Sequence, residues 1–414
     1  MLTTPKSLRL QIGIFGRTNV GKSSFLNLVS GQDVSIVSSI PGTTTDVVEK
    51  VMELLPLGPV VFLDTAGFDD KSLIGNLRIK KTVKIFDRAD VIILVVEPGI
   101  WSSYEKNIIS KAKKNNISLI IVVNKIDLKK PSKEQIKDLK KQTKRIIFCS
   151  STDYPNRDVY VNELKKHLIE ISPDEYFNPP SLVGDLMPAG GLAIFVIPID
   201  LEAPKGRLIL PQVQAMRDVL DNNQAVITVK ESEYAQVLRK LKKLPDLVVS
   251  DSQAVLKMVE ASPKSVKCTT FSMLFARSKG DIVEFARGAV AIKSLKSNNK
   301  ILIAEACSHH AIEDDIGRVK IPKWLKRYVG GNIKIDVASG RDYPDDLSGY
   351  KLIIHCGACM LTRREMLSRM QKAKEANIPI TNYGIAISFL QGVLERTLSP
   401  FPSALRAFKE REKY

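Results

Sequence analysis

The segment from Gly16 to Ser23 constrains the fold of this chain more than any other feature of the sequence. It reads Gly-Arg-Thr-Asn-Val-Gly-Lys-Ser, follows an apolar run over 10–15 and precedes a stretch in which apolar residues recur at helical spacing. The glycines allow backbone N–H groups to turn inward, and the start of the following helix favours a bound anion. This strand–loop–helix context is that of a phosphate-binding loop, and it predicts a nucleotide-binding α/β domain.

Two later motifs complete the site that such a loop requires. Asp64-Thr65-Ala66-Gly67 follows one apolar strand, and Asn124-Lys125-Ile126-Asp127 follows another. A buried Asp127 carboxylate can accept two hydrogen bonds from the ring N–H and the amino group of guanine, whereas adenine offers no such pair of donors. The three motifs therefore predict a GTP-binding domain in which Asp127 selects the base.

The chemistry of phosphoryl transfer gives each motif a role. We expect Lys22 to neutralise the β and γ phosphates and the Ser23 hydroxyl to ligate Mg²⁺. We expect Asp64 to hold that magnesium through its water shell, and the N–H of Gly67 to sense the γ phosphate. Hydrolysis of GTP to GDP and phosphate is the predicted reaction.

Strand-like and helix-like patterns alternate along the whole chain, which favours an α/β fold with a mostly parallel sheet. In residues 1–170, strand-like runs occur at 9–16, 47–54, 60–64, 91–97, 119–124 and 145–150, with helical patterns at 103–114 and 132–144. A segment rich in proline and glycine over 171–191 is typical of a linker. The chain is thus predicted to contain a P-loop GTPase domain (1–170) and two smaller α/β domains (177–262 and 263–414), the last opening with one long helical pattern over 269–295.

Composition narrows the class of protein further. Of 414 residues, 44% are hydrophobic and 26% charged, and no apolar run approaches the roughly 18 residues of a membrane-spanning helix. Five cysteines are too few for a disulfide framework and the first residues do not resemble a secretory leader, so a cytoplasmic protein is expected. The net charge of +17 can reflect either a nucleic-acid partner or solvated helix faces rich in lysine. The lysine runs occur at helical spacing, which favours solvated helix faces.

Cysteine and histidine residues cluster near the carboxyl end. Three of the 5 cysteines and three of the 4 histidines lie between positions 307 and 359, in the patterns Cys-x-His and His-Cys-x-x-Cys. They are Cys307, His309, His310, His355, Cys356 and Cys359. Both patterns follow predicted strands, at 300–306 and 351–355, and the carboxyl ends of parallel strands are the usual ligand edge of an α/β fold.

Ligand chemistry leaves three interpretations of this cluster open. The cysteines can be buried structural residues, or they can form a zinc site with one histidine, since zinc favours closed tetrahedral shells of sulfur and nitrogen. Three thiolates can equally hold an iron–sulfur cluster whose fourth iron takes a weaker ligand. Glu305 is close enough in sequence to compete with a histidine for that fourth position.

The amino-terminal part of the chain resembles the translation-factor-related GTPases, and most closely their tRNA-modification and ribosome-assembly branch. Pro41-Gly42-Thr43-Thr44-Thr45-Asp46 looks like the first switch of that branch, which implies that Thr44 ligates Mg²⁺. Ser150-Ser151 looks like the loop that closes over guanine, and Asn19 matches relatives that bind K⁺ beside the phosphates. The nucleotide-binding residues implied are Gly16, Asn19, Val20, Gly21, Lys22, Ser23, Ser24, Asn124, Lys125, Asp127, Ser150 and Ser151.

Over the whole chain, the GTPase motifs, the middle α/β segment and the cysteine–histidine signature together resemble the GTPase scaffold family of FeFe-hydrogenase maturation. In that family a GTPase domain is joined to a dimerisation domain and to a domain that binds a 4Fe–4S cluster. The resemblance implies Cys307, Cys356 and Cys359 as cluster ligands and His309 or His355 as a labile fourth ligand. It also implies a homodimer that assembles or carries a di-iron precursor, made with two radical-SAM maturases, and delivers it to apo-hydrogenase.

The alternative, from a different functional class, is an RNA- or ribosome-associated GTPase with a structural zinc site in its basic third domain. Iron, sulfide and visible absorbance in the purified protein would favour the scaffold. A colourless zinc protein that binds RNA with a steep dependence on salt would favour the alternative.

Overall fold

The structure is a computed structural model, and it describes residues 5–31, 48–64, 84–199, 208–307, 315–340 and 342–412. The chain divides into two compact units, Met1–Pro179 and Pro180–Tyr414, each with its own sheets and apolar core. Strands and helices alternate in both units. The predicted fold class, a P-loop domain with a mostly parallel sheet followed by further α/β structure, is confirmed.

The first unit is built on one six-stranded sheet. Its strands are β1 (Leu10–Phe15), β2 (Val48–Leu54), β3 (Gly58–Asp64), β4 (Val91–Val96), β5 (Ser118–Val123) and β6 (Ile146–Phe148). They lie in the order β2-β3-β1-β4-β5-β6, and every neighbouring pair is parallel except β2 with β3. β1 and β4 are buried along their whole length, as expected for strands covered on both faces.

Helices of the first unit cover this sheet. They are α1 (Lys22–Ser30), α2 (Ser103–Lys114), α3 (Lys133–Gln142), α4 (Arg157–Ile171) and the short α5 (Asp174–Phe177). Alternate residues of β4 enter two separate apolar cores, Ile93 and Val95 in one and Ile92 and Leu94 in the other. This alternation shows that the helices lie on both faces of the sheet.

The second unit contains two parallel four-stranded sheets. The first consists of β7 (Leu192–Val196), β8 (Ala225–Val229), β9 (Leu247–Ser250) and β10 (Lys267–Thr270). The second consists of β11 (Lys300–Ala304), β12 (Lys334–Ala338), β13 (Leu352–His355) and β14 (Ile380–Asn382). Their orders are β10-β9-β7-β8 and β12-β11-β13-β14, with all these pairings parallel.

Helices connect and cover these two sheets. They are α6 (Leu210–Asp221), α7 (Tyr234–Lys240), α8 (Val255–Ala261), α9 (Phe271–Lys279), α10 (Ile282–Ala289), α11 (Ile321–Val329), α12 (Arg363–Glu375), α13 (Tyr383–Leu390), α14 (Leu394–Thr397) and α15 (Pro402–Glu412). A single π-helical turn, Ile316–Lys320, leads into α11. Such turns occur frequently at functional sites.

The long helix predicted over 269–295 is divided into shorter pieces. α9 ends at Gly280, and the Asp281 carboxylate accepts hydrogen bonds from the N–H groups of Val283 (2.8 Å) and Glu284 (3.3 Å), which starts α10. An N-cap of this kind satisfies backbone N–H donors at the beginning of a helix. The chain can therefore start a new helix there without leaving these N–H groups unpaired. β10 lies beyond the domain boundary predicted at 262 and pairs with β9.

The two sheets of the second unit share their apolar cores. Phe195 of the first sheet and Ile353 of the second belong to one cluster, and Val248 and Ile354 belong to another. The two smaller domains predicted from the sequence are thus packed into a single compact unit. Among the described residues, none of the helices has the length and apolar character to cross a membrane.

Candidate functional site

The phosphate-binding loop lies between β1 and α1, as its motif predicts. The backbone of Gly21 at the start of α1 has φ +92°, and a Cβ at Gly16 would lie 2.6 Å from the carbonyl oxygen of Val95. Both positions therefore need glycine. The Lys22 ammonium donates hydrogen bonds to the carbonyl oxygens of Gly16 and Arg17, each at 2.8 Å, so it lies over the mouth of the loop.

The side chain of Arg17, in the same loop, is anchored to helix α2. Its Nε donates to Glu105 Oε1 at 2.7 Å, and its Cζ lies 5.9 Å from the centre of the Tyr104 ring. Burial opposes ionisation of Glu105, but hydrogen bonds from Arg17 and Ser102 lower the pKa of its carboxyl below the usual value. Glu105 thus holds the Arg17 side chain of the loop against α2. No sequence motif indicates this contact.

The base-recognition motif lies at the end of β5, next to the loop. Asn124 Nδ2 donates to the Val20 carbonyl at 2.9 Å, and Asn124 Oδ1 accepts from the Ser151 N–H and hydroxyl at 2.9 and 2.8 Å. Lys125 Nζ donates to the Asn19 carbonyl at 2.5 Å and to Glu97 at 2.7 Å. The structure therefore brings together the phosphate loop, the Asn-Lys-x-Asp motif and the Ser150-Ser151 loop.

Several of the side chains expected to touch nucleotide or metal are open to solvent. Asn19, Ser23, Ser24 and Asp127 are exposed, whereas Ser150 is buried. The exposure of Asp127 differs from the buried carboxylate that the sequence argument assumes. A bound base would itself cover this group, because base recognition takes place at the protein surface.

Asp64 is the last residue of β3 and is buried. Lys50 Nζ of β2 lies 3.8 Å from Asp64 Oδ2, and both side chains are almost fully buried. The antiparallel register that pairs Val48 with Asp64 brings Lys50 to this position. Thr44, Gly67 and the predicted switch over 41–46 lie outside the described residues.

The three cysteines of the carboxyl-terminal signature lie at the carboxyl edge of the second unit's last sheet. Cys307 follows β11, while Cys356 and Cys359 follow β13, and β11 and β13 are neighbours in that sheet. The N–H groups of Ala306 and Ala358 donate to Cys356 Sγ at 3.1 and 3.4 Å. A hydrogen bond with Cys307, together with burial, raises the pKa of the Cys359 thiol above its usual range.

The sulfur atoms of these three cysteines are ligands of the type that soft metals prefer. Burial raises the pKa of the Cys356 thiol to about 11, and the N–H groups of Ala358 and Ala306 and the charge of Arg369 oppose this effect. N–H donors aimed at sulfur stabilise thiolates in iron–sulfur sites. In the described ranges, however, no three His, Cys, Asp or Glu side chains form a group that could hold a metal ion. His309 and His310 lie outside those ranges.

His355 is the last residue of β13 and is fully buried. Its Nδ1 lies 2.9 Å from the Cys356 carbonyl oxygen, and Arg369 Nη1 lies 2.9 Å from its Nε2. Burial and the charge of Arg369 lower the pKa of the imidazole to about 3, although the Cys356 carbonyl acts in the opposite sense. His355 is therefore neutral, and both of its nitrogens have hydrogen-bond partners.

Glu305 also has partners within the protein. Its Oε2 accepts from Arg318 Nε and Nη2 at 3.2 and 3.0 Å and from the Ser339 hydroxyl at 3.3 Å. Arg318 belongs to the π-helical turn, so this ion pair attaches the turn to the end of β11. Neither Arg318 nor Arg369 is indicated by a local sequence motif, because each meets its partner only through the fold.

Comparisons with known families match three segments of the chain. Residues 11–125 match the family described as 50S ribosome-binding GTPase. Residues 182–280 match the hydrogen maturase F dimerization domain, and residues 283–400 match the hydrogen maturase F tetramerization domain. All three cysteines of the signature fall within the last of these matches.

Curated relatives match the amino-terminal segment. The tRNA modification GTPase MnmE of Prochlorococcus marinus (strain NATL1A) is 36% identical over 159 residues, which is 38% of this chain and 34% of that protein. GTPase Der of Kosmotoga olearia is 37% identical over 125 residues, 29% of this chain and 28% of that protein. The chain thus spans about a third of the length of these relatives.

Among solved structures, the G domain of the T. maritima FeoB iron transporter is 20% identical, with a TM-score of 0.31, over 39% of this chain and 98% of that one. The two hydrogen maturase F domains together match more than half of the chain. They follow a GTPase segment that is similar to that of the tRNA-modification enzymes. The chain therefore belongs to the hydrogen maturase F family of GTPases.

Proposed function

We propose that this protein is a GTP-hydrolysing scaffold that binds a 4Fe–4S cluster and assembles or carries the di-iron precursor of the FeFe-hydrogenase active site. One observation carries the proposal. Cys307, Cys356 and Cys359 follow two neighbouring strands at the carboxyl edge of one sheet, within a hydrogen maturase F domain, in a chain that also has a GTPase domain. Neither feature alone would connect nucleotide hydrolysis with a thiolate site.

In the nucleotide site, each residue of the predicted set has a proposed part. Lys22 exchanges its two carbonyl acceptors for phosphate oxygens when GTP binds, and Ser23, Asp64 and Thr44 hold Mg²⁺ directly or through water. The N–H of Gly67 binds the γ phosphate. The exposed Asp127 accepts the two guanine donors, and the Ser150-Ser151 loop, whose second residue hydrogen-bonds to Asn124, closes over the base.

K⁺ is proposed as a further ion of this site. Asn19 is exposed in the loop with φ +60°, and its carbonyl is held by Lys125. The amide oxygen of its side chain can ligate a cation beside the phosphates. Such a cation would stabilise charge that develops between the β and γ phosphates.

In the thiolate site, Cys307, Cys356 and Cys359 would hold the cluster. When bound, a cluster with three thiolates supplies one iron whose fourth ligand is weak and exchangeable. His309 is a candidate for that ligand. His355 would first have to release Arg369 or the Cys356 carbonyl, since both of its nitrogens are engaged.

The proposed partners follow from the family. They are a second copy of this chain, the radical-SAM maturases that make the precursor, and the apo-hydrogenase that receives it. The dimerization and tetramerization domains support self-association. The cytoplasm is the proposed location, because the cluster and its free thiols need a reducing compartment.

Iron and sulfide analysis after anaerobic purification tests the proposal. We expect iron, sulfide and visible absorbance in the parent protein, and their loss in Cys356→Ser, where a hard hydroxyl replaces a soft thiolate. Cys268→Ser is the matched control, since Cys268 is buried in the same unit but outside the signature. Stoichiometric zinc without iron, together with salt-dependent RNA binding, would instead support a ribosome-associated GTPase.

A further inference from the structure

Arg369 joins two strand ends of the last sheet. Its Nη2 donates to the Gly340 carbonyl at 2.6 Å, just beyond β12, and its Nη1 donates to His355 Nε2 at 2.9 Å, at the end of β13. In this sheet β11 lies between β12 and β13. The guanidinium therefore spans the edge from which β11 continues to Cys307 and β13 continues to Cys356.

The protonation of His355 follows from these contacts. A guanidinium can only donate, so His355 Nε2 must be an acceptor and carry no proton. A carbonyl oxygen can only accept, so Nδ1 must carry the proton that faces the Cys356 carbonyl. His355 thus links Arg369 to the peptide of a candidate cluster ligand, and it does so only as a neutral imidazole.

The positive charge of Arg369 is held inside the protein. The residue is 6% exposed, and its Cζ lies 5.0 Å from the centre of the Tyr343 ring, which covers one face of the guanidinium. An arginine keeps its charge even when buried, and a charge in a low-dielectric site acts more strongly on its neighbours than one in water. This charge acts on the nearby Cys356 thiol, whose pKa it lowers against the opposing effect of burial.

We propose that Arg369, positioned by His355, is the fixed cation of the cluster site and raises the reduction potential of the bound cluster. This inference rests on the proposed 4Fe–4S cluster. One-electron reduction adds a negative charge to a group already held by three thiolates, and a nearby buried cation stabilises that added charge. His355 is then a positioning residue whose nitrogens serve Arg369 and the ligand loop.

A redox titration of the loaded protein tests the charge. Dithionite with mediators supplies the electron, and the signal of the reduced cluster is followed by electron paramagnetic resonance. We expect Arg369→Gln to shift the midpoint potential to more negative values. Lys374→Gln removes the same charge from an exposed position of the same helix, and we expect it to titrate with the parent. Arg369→Gln with full iron and the parent potential would overturn the proposal.

Arg369→Lys keeps the charge and serves as the second variant, because Arg369→Gln can also affect assembly. Suppose that Arg369→Gln keeps the unfolding temperature of the parent apoprotein but takes up no iron, while Arg369→Lys takes it up. The charge is then needed for loading, and the potential is measured in Arg369→Lys: a midpoint near that of the parent supports the proposal, and a large negative shift overturns it. Equal loss of iron in both variants, with lowered unfolding temperatures, would show a purely structural role and overturn it.

His355→Gln tests the positioning role. We expect this variant to retain its iron and to show the same nitrogen hyperfine couplings in the reduced cluster as the parent, because the imidazole does not touch iron. We also expect a negative shift in potential smaller than that of Arg369→Gln. Loss of a strongly coupled nitrogen would identify His355 as a ligand and overturn the assignment. Absence of iron from the parent would instead end the proposed function itself.

Discussion

Two lysine side chains donate hydrogen bonds to backbone carbonyl oxygens of the phosphate-binding loop. Lys22 binds the carbonyl oxygens of Gly16 and Arg17, and Lys125 binds that of Asn19. The loop is therefore closed by ammonium groups before any phosphate arrives. Binding of GTP would exchange the two carbonyl acceptors of Lys22 for phosphate oxygens.

Asp127→Asn should weaken GTP binding and favour xanthosine triphosphate. The amide loses the double acceptor that guanine needs, and a lost hydrogen bond to a charged group costs about 1.5–3 kcal/mol. We expect the dissociation constant for GTP to rise roughly tenfold to a hundredfold, measured by equilibrium titration. Asp138→Asn, at an exposed position of α3, is the control. An unchanged affinity in Asp127→Asn would remove this residue from the base site.

K⁺ should accelerate GTP hydrolysis and Na⁺ should not. The proposed cation at Asn19 must match a site built from an amide oxygen and phosphate oxygens, and it acts on charge that develops in the transition state. Initial rates in KCl and NaCl at matched ionic strength measure the effect. The same comparison in Asn19→Ala should show no difference between the salts. Equal rates in the parent would exclude K⁺ activation and leave GTP hydrolysis unaffected.

The site residues that sequence reasoning predicts are those with fixed spacing in one segment. Lys22, Asn124 and Asp127 belong to motifs whose chemistry is local, so their neighbours along the chain identify them. Lys50 and Arg369 could not be found in this way. Each meets its partner through strand register or strand order, and neither is determined by adjacent residues.

Among whole elements, the sequence predicts long and strongly periodic segments well. α2 has the predicted bounds, 103–114. The three-residue β14 and the four-residue β10 were not predicted, because so few residues establish no period. The break at Gly280 was missed because apolar residues continue on both sides of it, and only the Asp281 cap reveals the new helix.

The edge strand β8 is the element that we expect to carry self-association. It is the outer strand of its sheet, and Leu220 on the neighbouring α6 is 57% exposed. Unpaired backbone groups on an edge strand can pair with a second copy. Leu220→Lys should convert dimers to monomers in light scattering, since like charges would then face each other across the interface.

Leu256→Lys is the matched control for this prediction. Leu256 is a partly exposed residue of α8, and that helix packs on β9 and β10 rather than on β8. A dimer that persists in Leu220→Lys would place the interface elsewhere. A point variant is preferable to deletion of residues 177–262, because that deletion would uncover the apolar cores shared with the last sheet.

At the scale of the whole molecule, the two chemistries lie in different compact units. The phosphate loop is in Met1–Pro179, and the three cysteines of the carboxyl-terminal signature are in Pro180–Tyr414. Lys22→Ala should therefore lower the rate of GTP hydrolysis by roughly a hundredfold or more, since it removes charge stabilisation from the transferred phosphate, yet keep its iron. Cys356→Ser should behave in the opposite way and hydrolyse GTP near the parent rate.

Phosphate release and iron content, measured on the same preparations, check this separation. Lys133→Ala, at the first residue of α3, controls for the loss of a lysine from the first unit. Loss of iron in Lys22→Ala would contradict independent assembly of the two sites. Loss of GTP hydrolysis in Cys356→Ser, with an unchanged unfolding temperature, would also contradict independent assembly of the two sites.

The shared cores of the second unit also determine where the chain can be cut. Phe195 and Val248 come from one family domain and Ile353 and Ile354 from the other, yet they fill the same interior. A fragment that begins at residue 263 or 281 would expose the apolar side chains that share clusters with Phe195 and Val248. We therefore expect that the two domains, although matched by separate family models, do not fold independently, and that a folded fragment with all three signature cysteines begins near Pro180.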